Sequence, residues 1–314
     1  MTPSRAATPD LVVETTRLSK RFGDHVAVRD VDLVVPRGVA FGYLGPNGAG
    51  KTTLIRMLLG LTSATSGSMQ LLGLPVPARR AEALARVGAI VEEPSFHPHL
   101  TGRENLSIVA AVRGGDASGR IDDALERLGL GARADDRVRT YSLGMRQRLG
   151  IARCLLADPE LLILDEPMNG LDPAGIQEFR AFARAFVAEG RTIVLSSHLL
   201  DEVEKTCTHV AIVDRGRIVA QGPIATLRDA GRPSVLIEVD DSARARALLS
   251  VHAAVERVDD DGHVLRVVLT DPAAVAELNR RLVEAHLNVT RLEPAQASLE
   301  QRFLEVTTRL ENAA

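Results

Sequence analysis

One glycine-rich stretch has the residue types and spacing of a phosphate-binding loop, G-x-x-x-x-G-K-[ST]. Its residues are Gly45, Pro46, Asn47, Gly48, Ala49, Gly50, Lys51 and Thr52, with Thr53 directly behind them. Glycines let the backbone curl so that successive N–H groups point at phosphate oxygens. The lysine of such a loop reaches the β- and γ-phosphates, and the hydroxyl after it can bind Mg²⁺. This stretch therefore predicts a site for a nucleoside triphosphate.

An apolar run that ends in two acidic residues predicts a second part of the same site. Residues 161–164 read Leu-Leu-Ile-Leu, typical of a buried parallel strand, and Asp165 and Glu166 follow directly. Ligands of open α/β sheets bind at the carboxyl ends of strands, so Asp165 is placed to hold Mg²⁺, directly or through water. Glu166 is placed to polarise an attacking water. Paired acids at a strand end are commonly solvated turn residues, but the glycine-rich loop upstream favours chemistry here.

Three further positions each have a structural and a functional interpretation. His198 follows a core strand and is either a structural histidine or a hydrogen-bonding partner of the γ-phosphate or the attacking water. Phe22 is either a core residue or a ring that stacks on the nucleotide base. Ser142, with Gly144 two residues on, is either an ordinary helix N-cap or the start of a second anion site.

These candidates need a sheet with flanking helices to bring them together. Strands are predicted at 11–15, 26–35 with a break at Arg29-Asp30, 39–44, 66–73, 89–91, 161–164, 192–195, 210–213 and 217–220. Helices are predicted at 51–59, 79–87, 101–113, 121–128, from 142 to just before 158, and at 173–189. Residues 18–25 read as a polar turn. Strands that alternate with helices predict an α/β fold.

Composition limits the possible classes of function. A chain of 314 residues with 45% hydrophobic content predicts one large or two ordinary packed domains. A net charge of −3 and the lack of tryptophan argue against nucleic acid as a partner. No run of about 18 apolar residues occurs, and residues 1–10 lack the apolar segment of a signal peptide. We therefore expect a cytoplasmic protein in which Cys154 and Cys207 are reduced and buried.

Taken in order, these stretches resemble the nucleotide-binding subunit of an ABC transporter over residues 11–226. Residues 45–52 are similar to the family's Walker A motif, and residues 161–166 are similar to its Walker B motif. The resemblance makes Glu166 the catalytic glutamate and His198 the switch histidine.

The resemblance also assigns the nucleotide contacts outside the phosphate loop. Residues 169–172 look like the D-loop, which ends at Asp172, and Phe22 matches the aromatic residue that stacks on adenine. Residues 141–145 take the place of the LSGGQ signature, with leucine and methionine where glycine and glutamine are usual. The signature residues expected to contact nucleotide are Ser142, Leu143, Gly144 and Met145.

A second departure from the family is Glu92, which stands where the Q-loop glutamine is usual. A carboxylate there can accept from a Mg²⁺-bound water, and its charge adds to that of Asp165. The resemblance thus predicts Thr52, Glu92 and Asp165 as the metal site. The sequence around these motifs looks like the bacitracin-resistance and lantibiotic-immunity branch, and related drug exporters share much of it.

The resemblance implies a P-loop NTPase with a RecA-like core and antiparallel β and helical subdomains. It implies an ATPase that uses ATP and Mg²⁺ and forms a head-to-tail homodimer, in which Ser142 of one copy meets the phosphate held by Lys51 of the other. A separate transmembrane permease would hold the protein at the inner face of the cell membrane and contact residues 93–106.

The remaining residues are predicted to form a flexible tail at 1–10 and a separate domain at 227–314. The order β-α-β-β-α-β in the latter indicates a small α+β split-βαβ domain. A last helix is expected after Ser298, with Gln301 completing a capping box. The acidic residues 259–261 are interpreted as a solvated hairpin turn.

Several functions are compatible with this cassette. The leading hypothesis is an ATPase subunit that powers export of an antimicrobial or other amphipathic compound. An immunity module that removes lantibiotics without full transport is a variant of it. The alternative from another class is a soluble ABC-type ATPase that acts as a conformational clamp on ribosomes or DNA. A kinase would leave residues 141–145 and His198 without a task.

Overall fold

The computed structural model describes residues 10–229, 233–260, 262 and 264–295. The chain divides into two compact units, residues 1–224 and 225–314. Most of the predicted N-terminal tail, Asp261 of the acidic turn and the predicted last helix after Ser298 lie outside the described residues.

The described residues of both units form β-strands and α-helices with the following bounds. The strands are β1 (Leu11–Phe22), β2 (His25–Val31), β3 (Val34–Pro36), β4 (Ala40–Leu44), β5 (Ser66–Leu71), β6 (Leu74–Val76), β7 (Val87–Ile90), β8 (Leu161–Leu164), β9 (Thr192–Ser197), β10 (His209–Asp214), β11 (Arg217–Pro223), β12 (Ser234–Val239), β13 (Val255–Asp260), β14 (Val264–Leu269) and β15 (Val289–Ala295). The α-helices are α1 (Lys51–Leu58), α2 (Arg80–Ala85), α3 (Gly102–Arg113), α4 (Ile121–Arg127), α5 (Leu143–Leu155), α6 (Pro173–Ala188), α7 (Leu200–Thr206), α8 (Ile224–Asp229), α9 (Ser242–Ser250) and α10 (Val275–Glu284).

The central sheet of the first unit has the order β11-β10-β4-β9-β8-β7, and its neighbours pair in parallel except at β10–β11. Every residue of β4, β8 and β9 is buried. Strands covered on both faces read as continuous apolar runs, which is why 39–44, 161–164 and 192–195 could be recognised in the sequence. The carboxyl ends of β4, β8 and β9 therefore lie side by side, and the α/β fold is confirmed.

A second, antiparallel sheet has the order β2-β1-β5-β6, with β3 also pairing with β1. The predicted polar turn at 18–25 is wrong, because β1 continues to Phe22 and only Gly23 and Asp24 turn the chain. Its polar residues pair with β2 through an irregular register while Leu18 is fully buried. The predicted break at Arg29-Asp30 is also wrong, because β2 runs to Val31.

Two elements of the first unit had no clear signal in the sequence. The prediction of one strand at 66–73 missed the turn after β5 and the short strand β6. Helix α7 was not predicted, and it is fixed by packing: Val203 is fully buried against Gly42 of β4, where an added Cβ would overlap its side chain. Such tertiary contacts override weak local propensity.

Helices α3, α4 and α5 follow β7 and precede β8 in the sequence, and they pack against one another. Thr101 caps α3 in a capping box with Glu104. Cys154 of α5 and Cys207 are buried and form no disulfide, and burial raises the pKa of the Cys154 thiol to about 11. Both thiols are therefore poor nucleophiles at neutral pH, in line with the predicted reduced state.

The second unit is a four-stranded antiparallel sheet in the order β13-β14-β12-β15, packed with α9 and α10. Its core consists of alternate strand residues and one face of each helix: Val235, Ile237, Leu249, Leu265, Val267, Leu278 and Leu282. The element order β-α-β-β-α-β is the predicted one. In neither unit is any described helix long and apolar enough to cross a membrane.

Candidate functional site

The glycine-rich loop joins β4 to α1, and two of its glycines are required by close backbone approach. Gly50 has φ +94° at the N-cap of α1, and an added Cβ would overlap the carbonyl oxygen of Ala27. A Cβ at Gly45 would overlap the carbonyl oxygen of Val213. The loop is thus pressed against its neighbours, which fixes the start of α1 and its unpaired N–H groups toward the carboxyl ends of the strands.

Lys51 is buried inside this loop, with only 6% of its surface exposed. Its Nζ donates to the carbonyl oxygens of Gly45 at 2.7 Å and Pro46 at 3.2 Å. It also lies 3.2 Å from Oε1 of Glu166. The ammonium group is therefore held at the centre of the loop by polar groups that a phosphate can replace.

Thr52 and Asp165 are brought together from the start of α1 and the end of β8. The Thr52 hydroxyl donates to Oδ2 of Asp165 at 2.7 Å. Ser196 of β9 donates to Oδ1 of Asp165 at 2.5 Å and accepts from the backbone N–H of Glu166 at 2.9 Å. Sequence analysis missed Ser196, although a serine at the end of a central strand was a usable signal. It orients the carboxylate between the two strand ends.

The Thr52 hydroxyl and the Asp165 carboxylate are too few to hold a metal by protein ligands alone, but they suit Mg²⁺. No cluster of three or more His, Cys, Asp or Glu in the described part of the chain could hold an ion. Mg²⁺ commonly binds through one or two carboxylates together with substrate phosphates and waters. A threonine hydroxyl and one well-oriented carboxylate fit that requirement.

Glu166 lies between Lys51 and His198 at the end of β8. Its Oε2 is 3.0 Å from Nδ1 of His198, and its side chain is 18% exposed. Glu166 has φ +48°, an uncommon value for a residue with a side chain. Such a backbone conformation at a site is held by its surroundings, here by the bond from the Glu166 N–H to Ser196. The carboxylate is thereby aimed away from Asp165, its neighbour in sequence.

Glu92 lies at the end of β7, and its carboxylate pairs with the Arg56 guanidinium of α1. Its side chain is 66% exposed and its φ is +68°. The next residue, Glu93, lies 3.8 Å from Arg146 of α5. These two acids thus face basic residues of α1 and α5.

Phe22 ends β1 with 51% of its surface exposed, so it is not a core residue. The Lys20 ammonium lies 4.7 Å from the centroid of its ring. An exposed ring at the end of a strand is available to stack on a planar ligand.

The start of α5 is built by local contacts. Ser142 caps the helix, its Oγ accepting from the N–H of Met145 at 3.2 Å. The preceding Tyr141 is buried and donates to the carbonyl oxygen of Arg133 at 2.6 Å, and burial raises the pKa of its hydroxyl. The buried Tyr141 thus anchors the start of α5, while Ser142 stays exposed.

Asp172 caps α6 in the same way, accepting from the N–H of Gly175 at 2.9 Å. Ser142, Gly144 and Asp172 line one cavity of about 270 Å³. None of its described lining residues belongs to the group around Lys51. The structure therefore brings most of the predicted residues into two sets, one around the loop and one at the starts of α5 and α6. Phe22 and Glu92 contact Lys20 and Arg56 instead.

Known proteins with similar sequence and fold point to one family. Residues 28–169 match the family described as ABC transporter. The bacitracin transport ATP-binding protein BcrA of Bacillus licheniformis is 40% identical over 94% of this chain and 97% of its own length. Nod factor export ATP-binding protein I of Cupriavidus pinatubonensis is 38% identical over 98% of this chain and 94% of its own. A solved ATP-binding subunit of an ABC transporter is 30% identical with a TM-score of 0.63, covering 69% of this chain and 92% of its own.

Proposed function

The chain belongs to the ABC transporter family as an ATP-binding subunit, and from this premise we propose that two copies close head to tail on ATP–Mg²⁺ and drive a separate permease. Members of this family hydrolyse ATP. The observation that carries the proposal is the contact of one carboxylate, Glu166, with both Lys51 and His198.

The loop group supplies the binding and hydrolysis steps of this proposal. Lys51 exchanges its two loop carbonyls for the β- and γ-phosphates, which releases Glu166 from the ammonium. Glu166 then accepts a hydrogen bond from the attacking water, and His198 orients Glu166 or the γ-phosphate. Thr52 and Asp165 would hold Mg²⁺, which would supply positive charge to the phosphates when bound. Phe22 stacks on the adenine and binds it by its face.

The start of α5 supplies the second contact, to the nucleotide of the other copy. The first N–H groups of a helix and its dipole favour an anion, and Ser142 adds a hydroxyl. The signature residues Leu143, Gly144 and Met145 contribute here through their backbone. Because hydrolysis removes the γ-phosphate that joins the two copies, closure and release follow the nucleotide state.

The permease contact is proposed for residues 93–106 and the adjoining face of α3. That face exposes Ile108 at 43% and Val112 at 86%, one helical turn apart. An exposed apolar pair beside a polar rim suits a partner helix. Such a contact would place the protein at the inner face of the membrane.

The cargo is proposed to be an antimicrobial or other amphipathic compound that is exported, or removed in an immunity role. Two relatives that align along most of this chain are named for bacitracin transport and Nod factor export. The permease would select between these cargoes.

Light scattering after size exclusion tests the proposal with Glu166→Gln. The amide keeps the shape of the side chain but cannot act as a base, so ATP binding is retained and the closed pair accumulates. A dimer is expected with ATP–Mg²⁺ and a monomer without it. Glu284→Gln, an exposed residue of the second unit, is the matched control and should stay monomeric in both conditions. A monomer with ATP–Mg²⁺, both alone and beside the permease, contradicts the proposal.

A further inference from the structure

The start of α5 and the turn before α6 fit together through two leucines and two glycines. The Leu143 side chain lies over the bare backbone of Gly170, where an added Cβ would overlap its Cδ2. In return, Cδ2 of Leu171 would lie 3.2 Å from a Cβ placed on Gly144. Each leucine thus fills the space that a side chain on the opposite glycine would need. We call this set of four residues the leucine–glycine interlock.

The interlock constrains Gly170 in two independent ways. Its φ of +71° is one that residues with side chains rarely adopt, and the space beside it is taken by Leu143. Gly190 has a similar φ of +80° but open space around it. Alanine substitutions of Gly170 and Gly190 therefore separate the effect of backbone strain from the effect of the Leu143 contact.

The interlock stands directly beside the two capping residues of the second set. Ser142 precedes Leu143, Asp172 follows Leu171, and both caps line the 270 Å³ cavity. Behind them, Arg148 of α5 lies 2.6 Å from Glu178 of α6, which adds a polar tie between the same two helices. A shift of one helix start must therefore carry the other with it, since packed contacts move as units.

We propose that Leu143 and Leu171 are positioning residues that make Ser142 and Asp172 approach and leave the nucleotide of the second copy together. This inference rests on the head-to-tail pair of the proposed function. Because the ATP held by a copy's own loop does not touch the interlock, loosening it slows turnover without weakening that binding.

Steady-state ATP hydrolysis tests the role of Leu143. Leu143→Ala is expected to lower kcat about tenfold, in the range of energies by which contacting residues couple, and to leave the KM for ATP within about twofold. Leu143→Met, which keeps the volume of the side chain, should restore kcat. A defect in folding alone would lower the fraction of protein that binds ATP, which calorimetric titration measures, and would leave kcat per ATP-binding copy unchanged. Equal kcat for wild type and Leu143→Ala overturns the inference.

Thermal unfolding tests the contact without relying on catalysis. Gly170→Ala should lower the unfolding midpoint more than Gly190→Ala, because it adds an overlap to the same kind of strain. In the Leu143→Ala background the two glycine variants should have equal effects, since the overlap is gone. Equal effects in both backgrounds would show that Leu143 does not press on Gly170, which overturns the inference.

The two tests separate this inference from the proposed function. If Glu166→Gln dimerises with ATP–Mg²⁺ but Leu143→Ala turns over ATP like wild type, the interlock has no positioning role and the dimer stands. If Glu166→Gln stays monomeric, the joint delivery of Ser142 and Asp172 is overturned with the dimer, whatever the unfolding midpoints show.

Discussion

The loop around Lys51 and the start of α5 both offer polar groups to phosphate, but they are built from different distances along the chain. Lys51 and Thr52 contact Glu166 and Asp165, which come from a strand more than a hundred residues later. Ser142 bonds to Met145 of its own helix. One set is a network closed by the tertiary fold, and the other is a local cap.

This difference shows which nucleotide contacts one copy can build alone and which need a second copy. Adjacent parallel strands bring their carboxyl ends to one edge, so distant side chains meet there without further help. A helix start presents its N–H groups outward along its axis, so its ligand must arrive from outside. The division of labour in the proposed dimer follows from these two geometries.

The largest expected loss of ATP affinity comes from removing Lys51, which lies at the centre of the network around the loop. Lys51→Ala should weaken ATP binding about a hundredfold or more, because hydrogen bonds to charged groups contribute about 1.5–3 kcal/mol each and Glu166 is left beside the phosphate without a cation. Calorimetric titration with ATP and Mg²⁺ measures this change. Lys205→Ala, an exposed lysine near Asp201, is the control and should bind like wild type. Unchanged binding in Lys51→Ala would show that the loop does not hold the phosphates.

Substitution of Ser142 at the start of α5 should have a smaller effect, on kcat rather than on ATP binding. Ser142→Ala removes a cap, which costs about 1 kcal/mol of stability, and also the proposed hydroxyl contact with the second copy. We expect kcat to fall about tenfold with the KM for ATP unchanged, since the loop still binds nucleotide. Thr101→Ala is the matched control, because it removes the same kind of cap from α3. If both variants lose activity equally, the Ser142 effect is one of helix stability alone.

The same contrast explains how much of the site could be predicted. Lys51, Thr52, Asp165 and Glu166 were found because their types coincide with a loop pattern and the end of an apolar strand. The serine at the end of β9 could be noticed in the sequence, but its bond to Asp165 could not be predicted, since that depends on the register between β8 and β9. Local patterns identify groups, whereas pairing across a sheet is a property of the whole fold.

The fold shows the same limit. Buried strands and capped helices were predicted close to their bounds, because hydrophobic period and capping residues are local signals. The long strand β1 was predicted only over its apolar first part, since its polar end pairs with β2 in an irregular register. The exposed position of Phe22 follows from that extension and argues against the core interpretation, so base stacking stays a prediction.

Phe22 tests the proposed contact with the adenine base rather than with the phosphates. Phe22→Ala should raise the KM for ATP about tenfold, because stacking of a base on an aromatic ring contributes about 1–3 kcal/mol. Phe22→Tyr should bind like wild type, since the ring is kept. Phe96→Ala is the control, because the Arg153 guanidinium lies over that ring, 5.5 Å from its centroid. A KM that is equal for Phe22→Ala and wild type would remove the ring from the adenine site.

Glu92 should give the smallest effect, although the sequence predicts it as a third metal ligand beside Thr52 and Asp165. Its carboxylate pairs with Arg56 and is 66% exposed, and such exposed ion pairs contribute about 1 kcal/mol or less. Glu92→Gln should therefore shift the Mg²⁺ concentration for half-maximal turnover by about fivefold at most. Asp165→Asn, which removes the carboxylate that Ser196 orients, should shift it far more. Equal shifts in the two variants would mean that Glu92 leaves Arg56 and joins the metal site when ATP binds.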